Sequence, residues 1–527
     1  MRIFSSPGKS AVYASNAMVA TSHPLAAYEA LNIMRDGGNA LDAAIAGAVL
    51  LGACEPHMTG IGGDCFALIK PAGTNEVTAI NGSGRAPNAI DAAALRGDGL
   101  ERIEAGHAAS ITVPGAIRAF CDMSEKYGRA GIDRILAPAI DHFEAGVPIA
   151  PRVSYDLAGI PQSNLNGSAQ KYFTQGSKAM SLGQVFRAPG QAEVLRRIAR
   201  DGASGFYEGE VAEDMLAALS SIGGVHSASD FANTATTFDT PCSGHYRGTE
   251  LIEHPPNGQG AIAILICQIL AEFDLASLDP HGAERLHLEI EATKLAYDAR
   301  NRFLSDPDYM TALDHLLDQA TAKSLAGLID RNTAMADAAP LSEDVHKDTV
   351  LITTVDRDGM AVSLIYSIFA SLGSGVATDK FGILFHNRGS GFNLTPGHPN
   401  EIGPNKRPMH TIIPAMTRTG QNIDMAFGVM GGQYQATGHA HVISNMIDFG
   451  MDPQSAIDAT RVFPEPDGLR VETSMLETTR RDLEAKGHKL NVRDEPIGGA
   501  QAIQIDHKQG VLIGASDPRK DGMAVGY

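Results

Sequence analysis

The chain has 527 residues, with 42 lysines and arginines against 61 aspartates and glutamates, a formal charge of −19 with histidine neutral. The length excludes a small module, and the acidic balance excludes phosphate-backbone binding as the main task, so no nucleic-acid partner is expected. The five cysteines (Cys54, Cys65, Cys121, Cys242, Cys267) are odd in number and scattered, which argues against a disulfide framework and against paired C-x-x-C zinc spacing.

Residues 1–20 mix Ser, Lys, Asn and Gly and never build the apolar core of a signal peptide, so a cytoplasmic location is the expectation. Residues 23–54 read as two helices around a tight turn at Gly37, Gly38 and Asn39. A Gly-rich loop follows at 55–63, and residues 66–81 carry short apolar runs split by Pro71, Gly73 and Asn75, as in a strand hairpin. The apolar runs 43–54 and 261–267 fall short of the ~18 residues of a membrane span and read as buried core. From 95 to 329 the pattern is mostly helical. It is clearest at 287–303, where Leu288, Ala292, Leu295 and Ala299 line one face. Residues 332–347 are small and acidic, the composition of an exposed linker open to cleavage, and strands dominate beyond them.

Residues 350–356 and 361–368 flank an Asp-Gly turn signal. A two-residue loop at Asp358 and Gly359 sets Thr349 opposite Ile368, whereas a three-residue loop over 357–359 sets it opposite Ser367. Either way Ser367 lies within one residue of Thr349 across the ladder. No internal repeat, low-complexity segment or independent-domain linker stands out.

The commonest catalytic signatures are absent: there is no G-x-S-x-G elbow and no G-x-x-x-x-G-K-[ST] phosphate loop. Asp356-x-Asp358-Gly359 is a turn rather than a calcium loop, because the sixth and twelfth positions of such a loop are Ala361 and Ser367 here. His439 and His441, two apart on a helix, do not share a face and read as local packing or capping rather than metal ligands. No metal and no cofactor is expected.

What remains is an ordered set of motifs: His23-Pro24, GGNALDAA from Gly37, EPHMTGIGGD from Glu55, NGSGRAP from Asn81, DTVLITTVDRDGMAVS from Asp348, LGSGV from Leu372, GPNKRPMHTIIPAM from Gly403 and FGVMGGQYQATGHAHV from Phe427. From about residue 18 to the end this order resembles the gamma-glutamyltransferase family of N-terminal nucleophile hydrolases. The resemblance implies an α+β fold, the four-layer αββα sandwich, built as one domain from two products of self-cleavage, residues 1–348 and 349–527. It also implies that Asp348-Thr349 is the cleaved bond. The Thr349 hydroxyl would attack the Asp348 carbonyl, and water would open the ester. The freed α-amine, with an ordinary pKa of ~7.7–8.0, would then serve as general base for the same hydroxyl. Ser367 stands where the family hydrogen-bonds its nucleophile, and Gly431-Gly432 where paired backbone N–H groups receive the oxyanion.

The departures bear on substrate. At the positions of the family's glutamyl clamp this chain has Ser83 for an Arg, Phe369 for an Asn, Gly391 for an Asp, and His410 and Thr411 for a Ser pair. Arg85 and Arg388 appear nearby instead, and a guanidinium suits a small carboxylate while repelling an ammonium. NGSGRAP, HNRGSGF and RPMHTIIP look like the oxamate amidohydrolase branch. The short 392–404 connection replaces a longer lid and favours water as acceptor. The expected activity is therefore hydrolysis of a small carboxylate-bearing amide such as oxamate, by subunits from one precursor that pair as heterodimers and further as a dimer of them. The alternatives are a gamma-glutamyl hydrolase or transferase acting on glutathione, a cephalosporin-acylase-like amidase, and a non-catalytic family member.

Overall fold

The structure is a computed structural model describing residues 8–335 and 349–527. Asp348 and most of the acidic linker lie outside the described residues. Two seven-stranded antiparallel sheets form the centre. The first runs Met523–Gly526, Met18–Thr21, Val350–Val355, Ala361–Ser367, Asp64–Lys70, Thr78–Gly82 and Thr237–Asp239; the second runs Val12–Ala14, Val511–Ser516, Gly499–Asp506, Asn422–Met430, Pro414–Thr419, Thr249–Glu253 and Cys242–Tyr246. Both sheets combine strands from before and after Thr349. Neither part supplies all the strands of either sheet.

The two sheets face each other across an apolar layer that includes Leu68, Val355, Met416, Ala426 and Ile503. Helices cover the outer faces, completing an αββα sandwich. On the first sheet lies Ala40–Cys54, every residue of which is buried. On the second lie Gly260–Ala271 and Gln435–Ile447. The two apolar runs seen in the sequence are these central helices. They are apolar all round because further helices, Ile132–Ala145 and Ala283–Phe303, pack outside them. No helix among the described residues is long and apolar enough to cross a membrane.

The helix pair expected at 23–54 forms as Pro24–Arg35 and Ala40–Cys54. His23 caps the first, its Nδ1 accepting from the Leu25 N–H. Asn39 caps the second in a reciprocal box: its Oδ1 accepts from Asp42 N at 3.0 Å and its N–H donates to Asp42 Oδ2 at 2.9 Å. The GGNALDAA motif is thus helix-starting architecture. The longest departure into strand from the helical expectation is at residues 237–253, which form three strands. Cys242–Tyr246 alternates buried and exposed, but its inward residues include Gly244, so the alternation carries little hydrophobic contrast in the sequence.

Candidate active site

The decisive local feature is the hairpin register. Val350 pairs with Tyr366 and Val355 with Ala361, which is the three-residue-loop alternative, so the next position outward sets Thr349 opposite Ser367. On its other side Ser367 pairs with Asp64. Paired residues on adjacent strands project to the same face, so Thr349, Ser367 and Asp64 form one cross-strand row. All three are buried, none more than 1% exposed.

Thr349 Oγ1 and Ser367 Oγ are 3.4 Å apart. Ser367 Oγ also accepts from the Phe369 N–H at 2.8 Å and from Arg388 Nη2 at 3.5 Å. Either hydroxyl of the Thr349–Ser367 pair can be the donor. Phe369 reaches back to Ser367 because its φ is +75°, a left-handed conformation uncommon for a bulky residue. Its ring then lies against the guanidinium, 4.0 Å from Arg388 Cζ.

Arg388 is fully buried on a short turn, Arg388–Gly391. Its Nη1 donates to Thr411 Oγ1 at 3.2 Å. Burial pulls its pKa down and Asp64 opposes that pull. The Asp64 carboxylate takes N–H bonds from Gly84 at 3.1 Å and Gly115 at 3.2 Å on Oδ1, and His410 Nε2 at 3.3 Å on Oδ2. Burial alone would push its pKa up. His386 foremost, then the His410 hydrogen bond and Arg388, outweigh burial and hold it well below the ordinary carboxylate range. His410 is neutral, because burial, reinforced by Arg388, lowers its pKa to about 3. Its Nε2–H faces Asp64, leaving a buried Nδ1 lone pair without a partner among the described residues.

The strand Asn422–Met430 ends at Gly431 and Gly432, with φ of +117° and +54°. A Cβ on Gly431 would sit 2.7 Å from Gly498 Cα, so glycine is required there by both conformation and space. A 3-10 turn, Gly432–Tyr434, then leads into Gln435–Ile447. Gln259 Nε2 donates to Thr411 O at 2.8 Å and to Gly432 O at 3.3 Å. One hydrogen-bond chain therefore runs from Thr349 through Ser367, Arg388, Thr411 and Gln259 to the glycine turn. The floor is apolar: Phe66, Leu351, Ile365, Ile412 and Met430 form one cluster.

Other expected positions fall elsewhere. Ser83 is buried, its Oγ accepting from Asn257 Nδ2 at 3.3 Å. Arg85 is partly exposed and committed to the protein, donating from Nη1 to Asp306 Oδ2 at 3.3 Å and to Asn405 O at 2.9 Å. The structure thus separates the two arginines that the sequence left equal. His439 and His441 are engaged in packing: His439 Nδ1 lies 2.6 Å from Glu253 while its Nε2 accepts from Val429 N, and His441 Nδ1 lies 3.0 Å from Glu289. Sequence reasoning missed Asp64, His386 and Gln259. For Asp64 a signal existed, since it is an acid heading the otherwise apolar run Asp64–Lys70.

A helix-flanked double sheet with a hydroxyl residue opening a central strand beside a Gly-Gly turn is the architecture of an N-terminal nucleophile hydrolase. The gamma-glutamyltranspeptidase family matches residues 26–527, and the chain belongs to that family of amidohydrolases. The glutathione hydrolase-like YwrD proenzyme of Bacillus subtilis is 35% identical over 98% of this chain and 99% of its own length. The oxamate amidohydrolase proenzyme of Klebsiella pneumoniae is 32% identical over 97% and 99%. The crystal structure of a cephalosporin acylase from Bacillus halodurans superposes with a TM-score of 0.93 at 35% identity, covering 99% of this chain and 98% of that one.

Proposed function

We propose that the chain is a proenzyme that cleaves itself between Asp348 and Thr349, and that residues 1–348 and 349–527 then act together as a hydrolase of a small amide bearing a carboxylate, of which oxamate is the type. The observation that carries this reading is the buried Arg388 guanidinium, forked onto Ser367 and Thr411 one hydroxyl away from Thr349. A donor-only planar cation at that point suits a carboxylate one or two bonds from the scissile carbonyl.

In the mature enzyme the Thr349 α-amine takes the hydroxyl proton, and Oγ1 attacks the amide carbon. Ser367 donates to Oγ1 and steadies the developing alkoxide. The tetrahedral oxyanion lies toward the Gly431 and Gly432 N–H groups, which approach closely because neither residue carries a Cβ. The amine returns its proton to the leaving nitrogen, ammonia departs, and an acyl ester remains on Thr349. Water, activated by the same amine, hydrolyses that ester and releases the dicarboxylate. Asp64 keeps Arg388 charged and fixes His410 as the neutral Nε2–H tautomer.

The reading is supported by the 32% identical oxamate amidohydrolase proenzyme and opposed by nothing in the clamp positions, where Phe369 covers the guanidinium and Gly391 offers no acid for an ammonium. The rival, glutathione hydrolysis, draws on the 35% identical relative. Steady-state kcat/KM for oxamate against a gamma-glutamyl anilide separates them. Preference for oxamate supports the proposal; preference for the anilide hands the site to the glutamyl reading.

A further inference from the structure

Away from this site, three buried metal-ligating side chains converge. His287 and Glu291 lie one turn apart on Ala283–Phe303, and His488 comes from the turn after Glu477–Ala485. Their ligand atoms lie within 4.8 Å of one another. The i, i+4 spacing places His287 and Glu291 on one helix face, the same device by which helical histidine pairs chelate zinc.

The proton positions can be assigned from the hydrogen bonds. His287 Nε2 is 2.8 Å from the Asp330 carbonyl oxygen, which only accepts, so the ring carries its proton there and presents a lone pair at Nδ1. His488 Nε2 lies 2.8 Å from that Nδ1 and so fills the lone pair with its own N–H. If the His488 proton moves from Nε2 to the Nδ1 of its own ring, both facing nitrogens become lone pairs aimed at one point. The Asp330 carbonyl then does for His287 what an outer-shell partner does for a metal-bound imidazole, fixing its tautomer and ring plane. Glu291 supplies the anion. Its Oε1 receives Lys294 Nζ at 2.8 Å and its Oε2 the Met335 N–H at 2.8 Å, and each oxygen keeps a further lone pair.

We propose that His287, Glu291 and His488 bind a divalent transition ion of the zinc class, four-coordinate with water as the fourth ligand. Two imidazole nitrogens and one carboxylate are a borderline donor set that suits zinc or cobalt better than calcium or magnesium. The site has a structural consequence. Met335, whose N–H rests on Glu291, is the last described residue before the segment leading to Thr349. On the proposed division at Asp348-Thr349, His287 and Glu291 belong to one cleavage product and His488 to the other, so the ion would staple them together. Lys294 occupies the position of a competing cation, and its ammonium must yield as the metal enters.

The test uses the full-length protein, stripped with a chelator and titrated with Co(II). One equivalent should bind with the strong visible absorption of a four-coordinate site, and the bound protein should melt at higher temperature. His287→Ala and His488→Ala should each weaken binding by more than the ~10–100-fold that loss of an orienting partner costs. Lys294→Met, which leaves the ligands in place, should tighten it. Kinetics with oxamate report separately on the active site, so loss of activity with metal binding intact would count against the functional proposal alone. Failure of the wild type to bind Co(II), or binding undiminished in both histidine variants, overturns the site and leaves a hydrogen-bonded histidine pair.

Discussion

Arg388→Gln removes a guanidinium that is wholly buried, and the size of the effect follows from what it touches. Its Nη1 donates to Thr411 Oγ1 at 3.2 Å, its Nη2 approaches Ser367 Oγ at 3.5 Å, and Asp64 is the charge that supports it. A hydrogen bond to a charged group contributes about 1.5–3 kcal/mol. At roughly 1.4 kcal/mol per factor of ten, losing one such bond to the substrate carboxylate should lower kcat/KM for oxamate by about ten- to a hundredfold, mainly through KM. Gln is neutral and keeps a polar amide, but it is shorter, so the change removes the charge and the reach to the carboxylate together. Arg85→Gln is the matched control, because Arg85 is already held by Asp306 and Asn405. It should leave kcat/KM close to wild type. The assay is ammonia release under steady state, with completed Asp348-Thr349 cleavage as the check on folding. Wild-type kcat/KM in Arg388→Gln, or a larger loss in Arg85→Gln, would refute the anchoring argument.

Ser367→Ala deletes one hydrogen bond to Thr349, worth about 0.5–1.5 kcal/mol, so both maturation and turnover should slow by roughly two- to tenfold, measured by electrophoresis over time and by kcat. Gly431→Ala places a Cβ 2.7 Å from Gly498 Cα at a φ of +117°, and should abolish most activity and lower the melting temperature. Asp64→Asn should destabilise the protein in a pH-dependent way. The Asp64 pKa is depressed in the folded state, so its contribution is fully present above the unfolded value near ~3.9 and is lost as pH falls below it. The gap between wild type and variant in urea unfolding should be constant near neutrality and shrink in acid; a gap that grows in acid would contradict the assigned shift.

Much of this was legible in the sequence because the signals were local. The Gly37-Gly38-Asn39 turn, the Asp-Gly hairpin and the two apolar runs each name their own structure within a few residues. The hairpin signal even fixed the neighbourhood of Thr349, leaving one alternative in register for the fold to decide. What stayed hidden depends on contacts distant in sequence. Arg85 and Arg388 are equal as letters, and only the approach of Asp306 to one and of Asp64 to the other tells them apart. Asp64 escaped notice because its partners His386 and His410 lie more than three hundred residues away. The strands of residues 237–253 escaped because a buried glycine carries no hydrophobic signal.

The proposed mechanism requires Thr349 to become an N-terminal residue. N-terminal sequencing of the products of purified wild-type and Thr349→Ala protein tests this most directly. The wild type should show a second N-terminus beginning Thr349-Val350-Leu351, and the variant should remain an uncut, inactive chain. A wild-type protein that hydrolyses its substrate while remaining full length, or a Thr349→Ala protein that still divides at Asp348, would contradict it.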